Sequence, residues 1–180
     1  SRNATQADIK SDARGMAIKL LGVPGKKLLP DEASTQDFIM INHPVFFVND
    51  PDRYISFMQD INGGGVLKKL HIPFALGPKG TMIALSLNTQ ISNPLQARYW
   101  SMVPYQLGLG SERQAVKYSA RACSAERDPM PEHPSHNFLR DALKNSLQKK
   151  DACMEFLVQP RTSNKLSVED SMTEWKETDA

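Results

Sequence analysis

The side chains able to do chemistry are few and widely spaced, among them four histidines and two cysteines. His133 and His136 stand at the spacing of a metal-binding pair, but with no third ligand set for a metal they predict no metal site. His71 falls at a helix end, and His43 precedes a proline, where an imidazole serves as a hydrogen-bonded turn residue. Cys123 and Cys153 fit neither a disulfide framework nor a CxxC metal knuckle. Both lie in apolar, strand-like segments, so they are expected to act as small hydrophobes with free thiols, as suits a reducing cytoplasm.

The elements that must position such groups can be read from pattern. Residues 1–15 are polar and irregular. Met16–Leu21 is a short apolar strand, closed by the turn-forming stretch Gly22-Val23-Pro24-Gly25. Leu28–Gln36 reads as a loop, and Asp37–Asn42 as a strand too continuously apolar to have one face in water. Asn49 or Asp50 can cap a helix beginning at Pro51, with Tyr54, Phe57, Met58 and Ile61 at helical spacing and Gly63-Gly64-Gly65 as its stop. Two further helices are expected, over Val66–His71 before Pro73 and over Met82–Gln90, followed by a break at Ser92-Asn93-Pro94.

Gln96–Met102 reads as a strand. So does Gln114–Cys123, where Val116, Tyr118, Ala120 and Ala122 alternate with Lys117, Ser119 and Arg121. Asp128–Ser135 is a proline-rich loop. Asn137 can cap a helix through Lys150 with Leu139, Leu143 and Leu147 in a stripe, and Cys153–Gln159 is a last alternating strand. Strands and helices out of strict alternation predict an α+β fold with a mostly antiparallel sheet.

Composition narrows the function classes. With 40% hydrophobic and 23% charged residues the chain is neither disordered nor a membrane protein, and no apolar run reaches bilayer length. The formal net charge is +2, and the pairs Lys26-Lys27, Lys68-Lys69 and Lys149-Lys150 read as solvated surface, so no nucleic-acid partner is expected.

Three segments resemble the catalase family, especially its shorter catalase-related members. Asp12-Ala13-Arg14-Gly15-Met16-Ala17-Ile18-Lys19 is similar to the family's D-P-R-G-F-A-V-K strand. Asn42-His43-Pro44-Val45-Phe46-Phe47-Val48-Asn49-Asp50-Pro51 is similar to N-T-P-I-F-F-I-R-D-P. Asn93-Pro94-Leu95 through Tyr99-Trp100-Ser101-Met102-Val103-Pro104-Tyr105 resembles the shorter subgroup. The resemblance implies an antiparallel β-barrel with flanking helices, incomplete here. Residues 1–180 would be the central part of one domain, whose N-terminal arm and C-terminal haem-ligand helix lie outside the chain.

It further implies haem b as cofactor. The activity would be breakdown of hydrogen peroxide or an organic hydroperoxide in the intact protein. The alternatives are an allene-oxide-synthase-like hydroperoxide rearrangement and a non-catalytic, haem-free module. Family iron is held by a tyrosinate with an Arg four residues earlier. Four residues before Tyr54, Tyr99, Tyr105 and Tyr118 stand Asp50, Leu95, Ser101 and Gln114, so no tyrosine here matches the ligand.

By the same resemblance Gly15 lets the backbone approach the porphyrin, Phe46 lines a channel, and Tyr54 takes the place of a Phe over the haem plane. Ser101 lies near the haem, with Met102 replacing the following His. Asn42 is the candidate distal donor. It matches only the second of two adjacent family asparagines, Ile41 standing in for the first, so a bulge would be needed to re-aim it. A barrel left open would expose strand edges and invite self-association.

Overall fold

The structure, a computed structural model, describes residues 6–27, 34–63 and 66–177. Six strands form one curled antiparallel sheet: β1 (Gly15–Leu21), β2 (Thr35–Ile41), β3 (Tyr99–Trp100), β4 (Tyr105–Leu107), β5 (Gln114–Ala122) and β6 (Met154–Pro160). They run in the order β1-β2-β3-β5-β4, with β6 on the other edge of β5, which makes a half-barrel. Three helices flank it, α1 (Pro51–Gly63), α2 (Val66–Ser86) and α3 (Phe138–Lys149). No helix among the described residues is long and apolar enough to cross a membrane.

β1 and β2 pair without interruption from Gly15↔Ile41 to Leu21↔Thr35. Thr35 and Gln36, expected in a loop, are drawn into β2 by this register; the rest of that expected loop, residues 28–33, lies outside the described residues. One face of the hairpin carries Met16, Ile18, Phe38 and Met40, which close on buried Tyr99 and Ala120 to form the sheet core. On the same face Phe38, Tyr118 and Phe156 meet edge-on or stacked, with centroids 4.8–5.5 Å apart.

β5 is more buried than its alternation suggests. Lys117 and Ser119, expected on the polar face, are 5% and 7% exposed because the segment after β6 crosses that side. Lys117 Nζ donates to the Thr173 carbonyl at 3.2 Å and lies 5.5 Å from the Trp175 ring centroid.

The expected strand Gln96–Met102 shrinks to Tyr99–Trp100. Asn93 caps a 3-10 turn over Pro94–Gln96 at one end, and Met102 turns to φ 59° at the other. The two helices expected over Val66–His71 and Met82–Gln90 are one bent helical run ending at Ser86. Pro73 does not stop it. The break falls at Gly77 (φ 68°, ψ 175°), after which Pro78 suits the start of a new helical segment. α1 and α2 close a second core on Phe47, Val48 and Leu76. Gly80 makes that contact possible, since a Cβ there would stand 2.6 Å from the Phe47 carbonyl oxygen.

The cysteines correct the expectation of free thiols. Cys123 and Cys153 are disulfide-bonded, with Cα atoms 5.4 Å apart. The antiparallel pair Ala122↔Met154 brings the residue after β5 opposite the one preceding β6, so 30 residues of separation conceal direct adjacency. The cytoplasmic expectation loses the footing it had in free thiols.

Candidate functional site

The first candidate surface is the outer face of the β1–β2 hairpin. Gly15 and Ala17 lie opposite Ile41 and Ile39, and Ile39 is 68% exposed. Gly15 has no positive φ, and a Cβ there would meet only the Met40 oxygen, at an ordinary 3.7 Å. Among the described residues nothing demands glycine at this position, so its lack of a side chain is available to a ligand.

Asn42 continues β2 past its last ladder pair. The pairing up to Ile41 contains no bulge, so Ile41 shares the face of Gly15 and Asn42 leaves on the other side. Its backbone N–H donates to the Arg14 carbonyl at 3.0 Å, while its Oδ1 accepts from the Arg14 N–H at 2.6 Å. Nδ2 donates to Thr89 Oγ1 at 2.8 Å. The amide thus clamps the start of β1 to the segment after α2, and one Nδ2 hydrogen remains beyond these bonds. His43 behaves as a turn residue: Nδ1 lies 2.9 Å from the Val45 carbonyl oxygen and Nε2 2.9 Å from Ser86 Oγ.

Phe46 and Tyr54 come together, with ring centroids 5.8 Å apart, and Phe47 packs against both. Tyr54 stands on the first turn of α1, where the Asp50 carboxylate accepts from the Asp52 and Arg53 N–H groups and settles the cap as Asp50. Of the expected stripe, Phe57 and Met58 turn inward, while Tyr54 and Ile61 stay 39% and 42% exposed. The helix bundle closes on Phe47 rather than on Tyr54.

Sequence reasoning missed what holds this aromatic segment. The Ser171 carbonyl accepts from the Phe46 N–H at 3.0 Å, and Ser171 Oγ donates to the Val48 carbonyl at 2.6 Å. Asp170 accepts from Asn49, Lys79, Thr173 and the Met172 N–H. Burial would raise the Asp170 carboxyl, but the hydrogen bonds from Thr173 and Met172 and the Lys79 charge hold it below its ordinary value. The available signal was the turn chemistry of Asp170-Ser171-Met172-Thr173.

Ser101 is buried, donating from Oγ to the Val103 carbonyl at 2.9 Å and accepting from the Tyr118 N–H at 3.1 Å. The Val103 N–H also donates to the Ser101 carbonyl across Met102, a γ-turn in which Met102 takes φ 59°. Neither Tyr99 nor Tyr118 is set up as a phenolate. Burial raises the Tyr99 hydroxyl, which donates to the Pro94 carbonyl at 2.8 Å, and burial followed by the Tyr105 neighbour raises Tyr118.

The donor set therefore fits haem in part. The Gly15 face carries exposed Ile39, and the Phe46–Tyr54 pair, its rings tilted by 44°, adds a second apolar surface. Arg14 Nε is buried without a hydrogen-bond partner among the described residues, a donor suited to an anionic group. Among the described residues no three His, Cys, Asp or Glu side chains gather to hold a metal ion, and His136 faces Asn137 at 3.1 Å. No catalytic step through iron follows from these residues.

No protein-family model matches the chain, and no curated protein sequence matches it. Solved structures do. A fungal catalase superposes with a TM-score of 0.72 at 17% identity, over 97% of this chain and 37% of its own. Catalase A from Saccharomyces cerevisiae gives 0.72 at 18%, over 97% and 38%, and a bacterial catalase 0.61 at 14%, over 99% and 47%. The chain has the fold of a catalase section and spans less than half the length of these three proteins.

Proposed function

We propose that this chain is the central section of a haem-dependent protein that breaks down hydrogen peroxide or an organic hydroperoxide. The observation that carries the reading is the superposition on three catalases along nearly the whole chain. Haem b would supply the peroxide redox chemistry. This chain's part is to pack and position: Gly15 opens a close approach, Phe46 and Tyr54 pack beside the ring, and Ser101 fixes the sheet next to it. Asn42, which leaves β2 on the side away from Gly15, would hold Arg14 and Thr89 in place behind that surface rather than touch the peroxide. The distal histidine and the tyrosinate would come from residues outside these 180.

One observation favours a second reading, a haem-free module: the Asn42 amide and the Ser101 hydroxyl already have partners inside the chain. The natural polypeptide carrying this sequence separates the readings when supplied with hydrogen peroxide and with a fatty-acid hydroperoxide. Oxygen release or a reduced alcohol supports the proposal, and a rearranged product with no net oxidation marks the allene-oxide-synthase-like route. No turnover together with no Soret band leaves the module. Cytoplasmic placement stays an expectation, to be settled by where the native protein fractionates.

A further inference from the structure

The β5–β6 ladder ends in a covalent link. Beyond Ala122↔Met154, the Cys123 N–H donates to the Cys153 carbonyl at 3.1 Å, and the two sulfurs are bonded. Between them residues 124–152 leave the sheet, carry α3 and return. Both cysteines are exposed, and both line an open cavity of about 230 Å³ together with Asn93, Gln96, Glu126 and Lys150. That space admits a small reagent to the sulfurs.

The excursion is tied elsewhere by weaker means. Asn93, 1% exposed, donates to Asp128 Oδ2 and to Ser146 Oγ, each at 2.8 Å. The Leu139 N–H donates to Asp8 Oδ2 at 3.0 Å. The Asp8 bond holds its middle, and the Asn93 bonds tie positions a few residues in from each end. At its base stand the disulfide, the Cys123–Cys153 backbone bond and an exposed Lys150–Glu126 ion pair at 3.3 Å, and an exposed ion pair adds little.

We propose that Cys123–Cys153 is a thiol–disulfide exchange site, opened by small thiols entering the adjoining cavity, and that its opening releases the base of the α3 excursion from the sheet. A thiolate attacks one exposed sulfur, the protein S–S bond breaks, and the other cysteine leaves as a thiolate. A second thiol then attacks the mixed disulfide. Two thiols are oxidised to one disulfide while the bridge takes up two electrons and two protons to give two cysteine thiols. Exposed disulfides are the exchangeable ones because the in-line approach to sulfur is open. The inference does not depend on haem.

The test uses the chain purified without reductant, incubated in glutathione without denaturant, quenched by alkylation and mapped by peptide mass. Cys123 and Cys153 should become alkylated together at a rate unrelated to global unfolding, and glutathione disulfide should re-form the bridge. Hydrogen exchange should quicken about tenfold or more at the two ends of the 124–152 segment while β1 and β2 keep their protection. The Cys123→Ser/Cys153→Ser double variant should show the quickened pattern with or without glutathione. Three results would overturn the proposal: free thiols before treatment, opening no faster than global unfolding, or exchange at the excursion ends unchanged by reduction of the wild-type chain.

Discussion

Lys117 shows how far one residue's surroundings can depart from its pattern. Alternation along β5 gives it a solvated face, yet the segment that returns after β6 buries it beneath Thr173 and Trp175. That burial lowers its ammonium to about 8 against the opposing pull of Glu174 and Asp170. Below pH 8 both folded and unfolded chains carry the proton, and the cost of burying the charge is fully present. As pH rises from about 8 toward the ordinary 10.5, the folded chain loses that proton first, so stability rises with pH. Urea unfolding at a series of pH values should show this rise in the wild type and its loss in Lys117→Met; an equal slope in both would refute it. The candidate ligand residues were legible to different degrees. Gly15, Phe46 and Tyr54 keep their places as candidates for a ligand surface, whereas the bonds from Asn42 to Arg14 and Thr89 span 28 and 47 residues and leave no local signature.

At the scale of elements, β1, β5 and β6 were legible, whereas β4 was not foreseen, β3 is shorter than its expected strand and the helix ends differ. β1, β5 and β6 follow from short runs of alternating or apolar residues, and Asp50 caps α1 as its position suggests. α3 shows why local reading fails elsewhere. Asn137 is placed to cap it but makes no side-chain cap, and the acceptor for Leu139 N–H is Asp8, 131 residues away. Asp8→Ala should therefore cost about 1 kcal/mol, the usual worth of a cap, and Asn137→Ala much less. Equal losses in thermal unfolding, or the reverse order, would contradict that assignment. In α2, Gly80→Ala would ordinarily gain about 1 kcal/mol of helix propensity. Here the new Cβ meets the Phe47 backbone, not a flexible side chain, and overpacking of about 1–3 kcal/mol should outweigh the gain. A variant melting at or above the wild-type temperature would show that α2 can shift without loss.

On the scale of the whole molecule, the curl of the sheet leaves β1 and β6 each paired on one side among the described residues. Ile39, Phe156 and Val158 stay substantially exposed on or beside those edges. Unpaired edges beside apolar side chains favour association, so size-exclusion chromatography of the 180-residue chain should show concentration-dependent oligomers; a monomer at every concentration would argue that the edges are protected. That this is part of a barrel was legible only through the catalase-like segments, because barrel closure depends on strands distant in sequence. On the proposed function, haem in the natural polypeptide rests against this chain while its iron ligand comes from other residues. That claim is tested most directly by the absorption spectrum of the 180-residue chain after titration with haem, beside that of the natural polypeptide carrying it. A tyrosinate-ligated, high-spin ferric spectrum is expected for the natural polypeptide and none for the chain alone. Stoichiometric tyrosinate-bound haem in the 180-residue chain, or no haem in the natural polypeptide, would contradict it.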